Sequence, residues 1–285
     1  MADEALIRQL SSQDQTSLSF LINHAEYIYR HLDWRTSLDW LGSEPFLGLE
    51  RHHKLVSALA CPQDETSIRW IRLFAYLNWN TQELEAAWSL LFDQLRAGVS
   101  KTSQITFAAL GLSPWFSDLL ELSGFVHRQD IIVLFWKGVI PEDRPLPREI
   151  RLRAMHPADI SEVAALDHVA FAPLWHQTRV ELERALAQAA YATVATLDQA
   201  IIGYQISTGS PFHAHLARLA VHPDLQRLSI GYAIVREFLE TLTERGVGNI
   251  TVNTQSDNYG SQKLYQELGF HRNGEAFPVY TLPLH

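Results

Sequence analysis

The sequence is poor in cysteine and contains no long apolar segment. Cys61 is the only cysteine among 285 residues, which excludes an internal disulfide and a cysteine-rich zinc site and fits a reducing compartment. No apolar run approaches the ~18 residues of a membrane span. The first residues, MADEALIRQLSSQDQ, lack the basic start and apolar core of a signal peptide, so we expect a cytoplasmic protein without membrane association.

Basic residues are also scarce, and the histidines do not form a metal-binding pattern. The net charge is −9, which disfavours general nucleic-acid binding. Of the 13 histidines, His52 and His53 are adjacent and would point to opposite sides of a strand. His213 and His215 alternate suitably, but no third ligand follows at ligand spacing. We therefore expect neither a nucleic-acid partner nor a bound metal.

The length and one proline-rich stretch predict two domains. At about 100–200 residues per domain, 285 residues suggest two. Three prolines between residues 137 and 147 favour extended linker geometry. We place a linker at 139–148, between a first domain of residues 1–138 and a second of residues 149–285.

The two halves of the sequence resemble each other. The opening segment at 6–8 parallels 149–151, and the ELSGF at 121–125 parallels the QELGF at 266–270. Between them, 71–75 parallels 217–221. The offset stays between 143 and 146 residues, which favours a duplicated domain.

The second half alternates between strand-like and helix-like segments. We predict strands at 150–154, 191–197, 200–207, 214–221, 249–254 and 275–282, and helices at 158–170, 177–189, 230–245 and 258–268. Asp198-Gln199 forms a hairpin-like turn, and Gly246 and Gly248 end the long helix. Strands and helices in this order indicate an α/β or α+β sheet covered by helices.

Two motifs stand out in this half. The strand at 214–221 ends in Val-His-Pro, and the following turn carries Gln226, Arg227 and Gly231 at the start of a helix. Unpaired N–H groups at a helix N-terminus hold phosphates. Further on, Asn258 precedes LYQELGF at 264–270. Together the motifs resemble the GNAT superfamily of acyl-CoA-dependent N-acetyltransferases, over residues 149–285.

The resemblance implies a fold and a reaction. The fold would be α/β (α+β), with two GNAT-like domains, each a mixed, mostly antiparallel central sheet flanked by helices. The reaction would transfer an acetyl group from acetyl-CoA directly to a primary amine of a small molecule or peptide. The alternative is a non-catalytic acyl-CoA-binding or structural module. No particular oligomeric state is indicated.

The resemblance also assigns cofactor contacts to the strand end, the turn and two helix starts. These positions are Leu219, Ala220, Val221, Gln226, Arg227, Leu228, Ser229, Ile230, Gly231, Tyr232, Ala233, Asn258 and Ser261. Asn258 would either bind the pantetheine arm or cap its helix. Ser229 stands where the family's first glycine lies, at a cost of about 1–2 kcal/mol if the backbone there is left-handed. In the alternative register, Gly231 and Ala233 fill the two small positions.

Candidate catalytic residues follow from the same resemblance. Tyr265 takes the position of a general acid for the leaving sulfur, or else it is a packing residue. For the general base, His213 and His215 are candidates, since Asn253 stands where some family members carry glutamate. A water relay or an amine that is already neutral would serve as well.

The first half lacks this machinery. Its turn at 78–85, NWNTQELE, has no glycine and two glutamates that would repel a pyrophosphate. Leu120 replaces Tyr265, and Ser113 replaces Asn258. We predict a degenerate copy whose many tryptophans either pack its core or form one wall of an acceptor site.

Overall fold

The computed structural model describes residues 5–63, 67–99 and 104–284, which form two compact units. The first unit comprises the chain up to Gln129 together with the residues from Phe277 onward. The second comprises Asp130–Ala276, so the stretch predicted as a linker, 139–148, lies inside it.

Within the described residues, the first unit contains mostly short strands and three α-helices. In chain order these are β1 (Leu6–Gln9), α1 (Gln15–His24), β2 (Tyr27–Arg30), β3 (Phe46–Arg51), β4 (Lys54–Ala60), β5 (Ile68–Trp70), β6 (Leu73–Tyr76), α2 (Thr81–Ala97), β7 (Ile105–Leu110), α3 (Pro114–Leu122) and the start of β8 (Val126–Trp136).

Its strands pair in two groups. Five antiparallel strands have the order β1-β3-β4-β6-β2. Strand β5 pairs in parallel with β7, and β7 pairs antiparallel with the C-terminal residues 279–284. Phe74, Trp88, Phe92 and Phe116 lie in the largest apolar core of this unit.

The second unit begins with the remainder of β8. It continues with β9 (Ile150–Ala154), α4 (Ile160–Ala170), α5 (Arg179–Ala187), β10 (Tyr191–Leu197), β11 (Ala200–Gly209), β12 (His213–Val221), α6 (Ile230–Glu244), β13 (Asn249–Gln255), α7 (Tyr259–Glu267) and the start of β14 (Phe270–Leu284).

Its sheet has the order β9-β10-β11-β12-β13-β8, with β12 and β13 parallel and the other pairs antiparallel. Helices cover both faces. A Cβ at Gly203 would meet Ile234 of α6, whereas the adjacent Tyr204 bonds to Asp167 of α4. The predicted mixed, mostly antiparallel sheet flanked by helices is confirmed.

The sequence pattern explains α6 and its neighbours. Ile230, Ile234, Val235, Phe238 and Leu242 are buried at helical spacing, which gives one apolar face against the sheet. Gly246, with φ +82°, ends the helix in the left-handed conformation. The observed elements follow the predicted ones within two residues at each end, apart from β14, which extends over 270–284 rather than 275–282.

The stretch predicted as a linker packs against α6 and α7. The Tyr232 hydroxyl donates to the Glu142 carbonyl at 2.8 Å, and Arg236 Nε donates to the Pro141 carbonyl at 3.0 Å. Arg144 forms a 2.6 Å ion pair with Glu267. Prolines there favour an extended backbone, and these contacts hold that backbone on the second unit. Among the described residues, no helix is long and apolar enough to cross a membrane.

Candidate functional site

Strand β12 separates from β13 halfway along its length. The parallel pairing runs from His213–Asn249 to Leu216–Val252 and then ends, although both strands continue. At this point β12 has a bulge, because Ile206 pairs with Arg218 and the next residue, Ser207, pairs with Leu216. Residues 217–221 therefore have an edge that no described strand occupies.

Backbone N–H groups of β12 point toward this open edge. The His222 N–H donates to the Ile202 carbonyl of β11 at 2.8 Å. Because hydrogen-bonding direction alternates along a strand, Ala220 also faces β11. By the same alternation, the N–H groups of Leu219 and Val221 face the open edge. They can bind a ligand that lies along the strand.

The turn between β12 and α6 has an unusual backbone. Arg227 and Ser229 both have positive φ, of 66° and 59°. Ser229 is the N-cap, and its side chain makes no capping hydrogen bond. The first helical bond is from the Ala233 N–H to the Ser229 carbonyl. The N–H groups of residues 230–232 have no partner within the helix, which makes the helix start a suitable site for phosphate.

The predicted cofactor residues of the turn differ in exposure. Gln226, Arg227 and Leu228 are exposed, and Gln226 Nε2 donates to the Val221 carbonyl at 3.3 Å. Arg227 makes no hydrogen bond or ion pair with the described residues, so its charge is available to an anion. Ile230 and Tyr232 are buried, and Ala233 is half-buried.

The start of α6 lies close to the strand end and to α7. A Cβ at Gly231 would lie 3.4 Å from Leu264 and 3.5 Å from Val221. Leu219 and Leu264 pack on the same apolar cluster, which includes Tyr265. The structure thus brings together the three predicted parts of the site, namely strand end, turn and last helix.

Helix α7 begins with a side-chain cap. Asn258 Oδ1 accepts a hydrogen bond from the Ser261 N–H at 3.1 Å, so of the two roles predicted for Asn258 the structure shows the cap. Ser261 is half-buried, one helical turn before Tyr265.

Tyr265 combines burial with an unused hydroxyl. Its side chain is 4% exposed and contacts the Phe270 ring edge-on, so it also serves in packing. Its hydroxyl makes no hydrogen bond with the described residues. Burial raises the pKa of Tyr265 above its ordinary value, so the phenol is protonated at neutral pH and can donate.

The two candidate histidines have different surroundings. His213 is exposed at the start of β12. His215 is half-buried, one residue before the end of the β12–β13 pairing, and its Nδ1 lies 2.8 Å from the Thr251 hydroxyl. Burial lowers the pKa of His215, so its imidazole is neutral at pH 7. His215 is therefore the better placed of the two to accept a proton near the open edge.

In the first unit the corresponding edge is occupied. Strand β5 pairs with β7 up to Trp70–Ala108, as β12 does with β13. The continuation, β6, pairs instead with β2. Tyr29 of β2 is buried, stacks on Phe116 and accepts a hydrogen bond from the Leu110 N–H at 3.3 Å. A segment of the unit itself thus fills the place that stays open beside β12.

The start of α2 is also occupied. Asn80 Oδ1 accepts hydrogen bonds from the N–H groups of Gln82 and Glu83, in contrast to the uncapped start of α6. The Glu83 carboxylate accepts a hydrogen bond from the Tyr76 hydroxyl at 2.7 Å and lies 3.5 Å from Arg51. The start of α2 thus differs from that of α6 in having a side-chain cap and a nearby carboxylate.

Sequence reasoning missed two features. One is β2, whose four residues give too short a pattern to predict its pairing with β6. The other is a buried ion pair between Arg218 and Asp167. Its only signal is the internal repeat, since Arg72 takes the corresponding position in the first unit and pairs with Asp33. Across the described parts of the chain, no group of three potential metal ligands occurs.

Comparison with known proteins finds a family similarity within the second unit. Residues 160–270 match the acetyltransferase (GNAT) family. A 57-residue segment is 35% identical to the [ribosomal protein bS18]-alanine N-acetyltransferase of Escherichia coli strain K12. This segment is 20% of the present chain and 38% of the length of that relative.

Two solved structures resemble almost the whole chain in fold. The tandem GNAT protein from the clavulanic acid biosynthesis pathway superimposes with a TM-score of 0.64 at 15% identity, over 99% of each chain. A GCN5-related N-acetyltransferase from Sphaerobacter thermophilus gives 0.63 at 15% identity, over 99% of this chain and 96% of the other. Because both superpositions span nearly the whole chain, the fold of the first unit also resembles the corresponding part of these two structures.

The left-handed backbone at Ser229 predicts a stabilising substitution. Glycine removes the strain of about 1–2 kcal/mol but adds freedom to the unfolded chain, so Ser229→Gly should raise the unfolding free energy by up to about 1 kcal/mol. Denaturant unfolding measures this. The control, Leu228→Gly, changes a neighbour without positive φ and should give no gain. A Ser229→Gly protein less stable than the native one would contradict the assigned backbone.

Proposed function

We propose that the chain is an N-acetyltransferase that transfers an acetyl group from acetyl-CoA to a primary amine, because residues 160–270 match the acetyltransferase (GNAT) family. The observation that carries this proposal is the open edge of β12 next to the uncapped start of α6. A long thioester cofactor needs both, since its arm needs a strand edge and its phosphates need N–H donors.

The phosphates of acetyl-CoA would bind at the start of α6. The N–H groups of residues 230–232 and the turn at 226–229, of which residues 226–228 are exposed, supply donors without a competing side-chain cap. Arg227 adds a positive charge that no described residue neutralises. Backbone dipoles and one arginine are enough to hold an anion on a protein of net charge −9.

The acetyl group would lie beside the bulge of β12. N–H groups of Leu219 and Val221 face the open edge, where one of them can donate to the thioester oxygen. The amine nitrogen attacks the carbonyl carbon, negative charge develops on this oxygen, and a fixed dipole stabilises it. The carbon–sulfur bond then breaks, leaving the amide and the thiolate of coenzyme A.

Two side chains would move the protons. Tyr265 donates its hydroxyl proton to the thiolate, and its burial keeps the phenol protonated until then. His215 accepts the proton lost by the amine, directly or through water, since its imidazole is neutral. Cys61 lies buried in the first unit, so no thiol relay is proposed.

Each chain would hold one cofactor. In the first unit β2 occupies the edge of β6, and Asn80 occupies the start of α2. We therefore keep the division into a degenerate copy, residues 1–138, a linker at 139–148 and a catalytic domain, residues 149–285, as the functional assignment. The compact units have slightly different boundaries, since residues 130–138 lie in the second unit and the residues from Phe277 onward lie in the first.

The acceptor would carry an apolar part beside its amine. The segments 171–176 and 209–213 contain the aromatic residues Phe171, Trp175 and Phe212. Neither segment contains an acidic side chain that could bind a second positively charged group of the acceptor. The name of the Escherichia coli relative specifies an alanine amine of a ribosomal protein, and a peptide N-terminus fits the same description. Phenethylamine, tryptamine and short peptides are therefore the first acceptors to test.

The proposal is tested by thermal melting with acetyl-CoA followed by a thiol-release assay with these amines. Ligand at about 100 times its Kd should stabilise the protein by roughly 2.7 kcal/mol, and an accepted amine should release coenzyme A. A melting shift without thiol release would favour a non-catalytic acyl-CoA-binding module. The strained backbone of Ser229, at the position of the family's first glycine, is the feature that favours this alternative. No shift would leave a structural role.

Removal of the Tyr265 hydroxyl tests the general acid. Tyr265→Phe should lower kcat about 100-fold and leave acetyl-CoA affinity unchanged, since the ring still packs on Phe270. Steady-state thiol release and calorimetry measure the two quantities. Tyr259→Phe, on the same helix and 76% exposed, is the control and should behave as the native protein. Equal kcat for both variants would remove the assignment.

The two histidines provide a matched pair for the base. His215→Gln should lower kcat about 100-fold, because glutamine retains a polar group near Thr251 but cannot take a proton. His213→Gln, on the same strand and exposed, should leave kcat unchanged. If both variants retain native kcat, a water relay or a free neutral amine supplies the base.

A further inference from the structure

A buried arginine ties a segment between α4 and α5 to the strand of the open edge. The side chain of Arg218 is 11% exposed, and its partner Asp167 is fully buried. Arg218 Nε donates to Asp167 Oδ2 at 2.7 Å, and Nη2 donates to the Trp175 carbonyl at 2.6 Å. The guanidinium lies 3.7 Å from the centre of the Phe171 ring.

Asp167 holds the other end of the same segment. Its Oδ1 accepts a hydrogen bond from the Gln177 N–H at 3.0 Å, while its Oδ2 also accepts one from the Tyr204 hydroxyl. Residues 171–177 are thus fixed by the Phe171 ring, the Trp175 carbonyl and the Gln177 N–H. We call Arg218, Asp167 and Tyr204 the latch.

The latch lies beside the bulge of β12. Arg218 follows the bulge at residue 217 and precedes Leu219, whose N–H faces the open edge. Its guanidinium is engaged with Asp167, Trp175 and Phe171, so it does not need a substrate to balance its charge. The segment 171–177 is therefore held at a fixed position relative to the acetyl site.

We propose that Arg218 is a positioning residue that fixes segment 171–177 as a wall of the acceptor site and thereby sets the KM for the amine. This inference rests on the proposed function. It predicts an effect on the acceptor and little on the cofactor, because no hydrogen bond or ion pair joins the turn at 226–231 to the latch in the described structure. Bidentate and stacked contacts are specific to arginine, so lysine should replace it only in part.

The first unit supplies an internal control. Arg72 has the same position in the repeat, lies 3.1 Å from the Asp33 carboxylate and is 5.0 Å from the centre of the Trp40 ring. There the strand edge is filled by β2, so the arginine has no acceptor segment to position. Loss of Arg72 and loss of Arg218 both remove a buried ion pair, and only the second concerns the site.

The test compares Arg218→Met, Arg218→Lys and Arg72→Met in the full chain. Hydrogen exchange of peptides covering 171–177 needs no acceptor and reads the latch directly. In Arg218→Met this exchange should rise at least tenfold, and acetyl-CoA Kd should stay within about twofold. The kinetic measurement uses whichever of phenethylamine, tryptamine and the short peptides has the highest kcat/KM with the native protein. For this amine, Arg218→Met should have a KM at least tenfold higher, while its kcat changes less than threefold. Arg218→Lys should be intermediate.

Three results would overturn the inference. The first is unchanged hydrogen exchange of 171–177 in Arg218→Met, which would show that the latch does not hold this segment. The second is a rise in the acetyl-CoA Kd of Arg218→Met as large as the rise in its KM, which would indicate general damage to the protein. The third is an equal rise in KM in Arg72→Met, which would also indicate general damage. Should Arg218→Met not fold, Tyr204→Phe and Arg218→Lys carry the comparison. Absence of thiol release from the native protein would refute the proposed enzyme, while the exchange result would still decide whether the latch orders the segment.

Discussion

The structure depends on one constraint, that β12 parts from β13 after Leu216–Val252. The bulge at residue 217 turns the strand, and its outer edge then has N–H groups without a strand partner among the described residues. The unpaired N–H and C=O groups of such an edge need a hydrogen-bonding partner, either another segment of the chain or a ligand. The turn at 226–231, the last helix with Tyr265 and the Arg218 latch all lie near that edge.

The chain contains two solutions to the same constraint. In the second unit the edge stays open, the helix after it starts with left-handed Ser229, and no side chain caps it. In the first unit β2 covers the edge and Asn80 caps the helix. The two units share this backbone plan and differ in which groups satisfy the exposed N–H donors. An arginine–carboxylate pair occurs in both units, Arg72 with Asp33 and Arg218 with Asp167.

Much of the second unit could be predicted from sequence because its signals are local. The apolar period of α6, the glycine that ends it and the turn at Asp198-Gln199 each occupy a few neighbouring residues. The site motifs were found for the same reason. Pairings across the chain gave no such signal. The insertion of β2 beside β6 joins Tyr27 to Tyr76, and the bulge at residue 217 appears only when β11 and β12 are in register. Asp167 was unremarkable in sequence because its partners Tyr204 and Arg218 lie on other elements.

The central claim is that one open edge makes one cofactor site, and calorimetric titration with acetyl-CoA tests it most directly. The native chain should bind one equivalent. Gly231→Asp, which places a negative charge at the start of α6, should abolish binding, whereas Gln82→Asp at the corresponding position of α2 should leave one equivalent bound. Two equivalents for the native chain, or loss of binding in Gln82→Asp with retention in Gly231→Asp, would contradict the account.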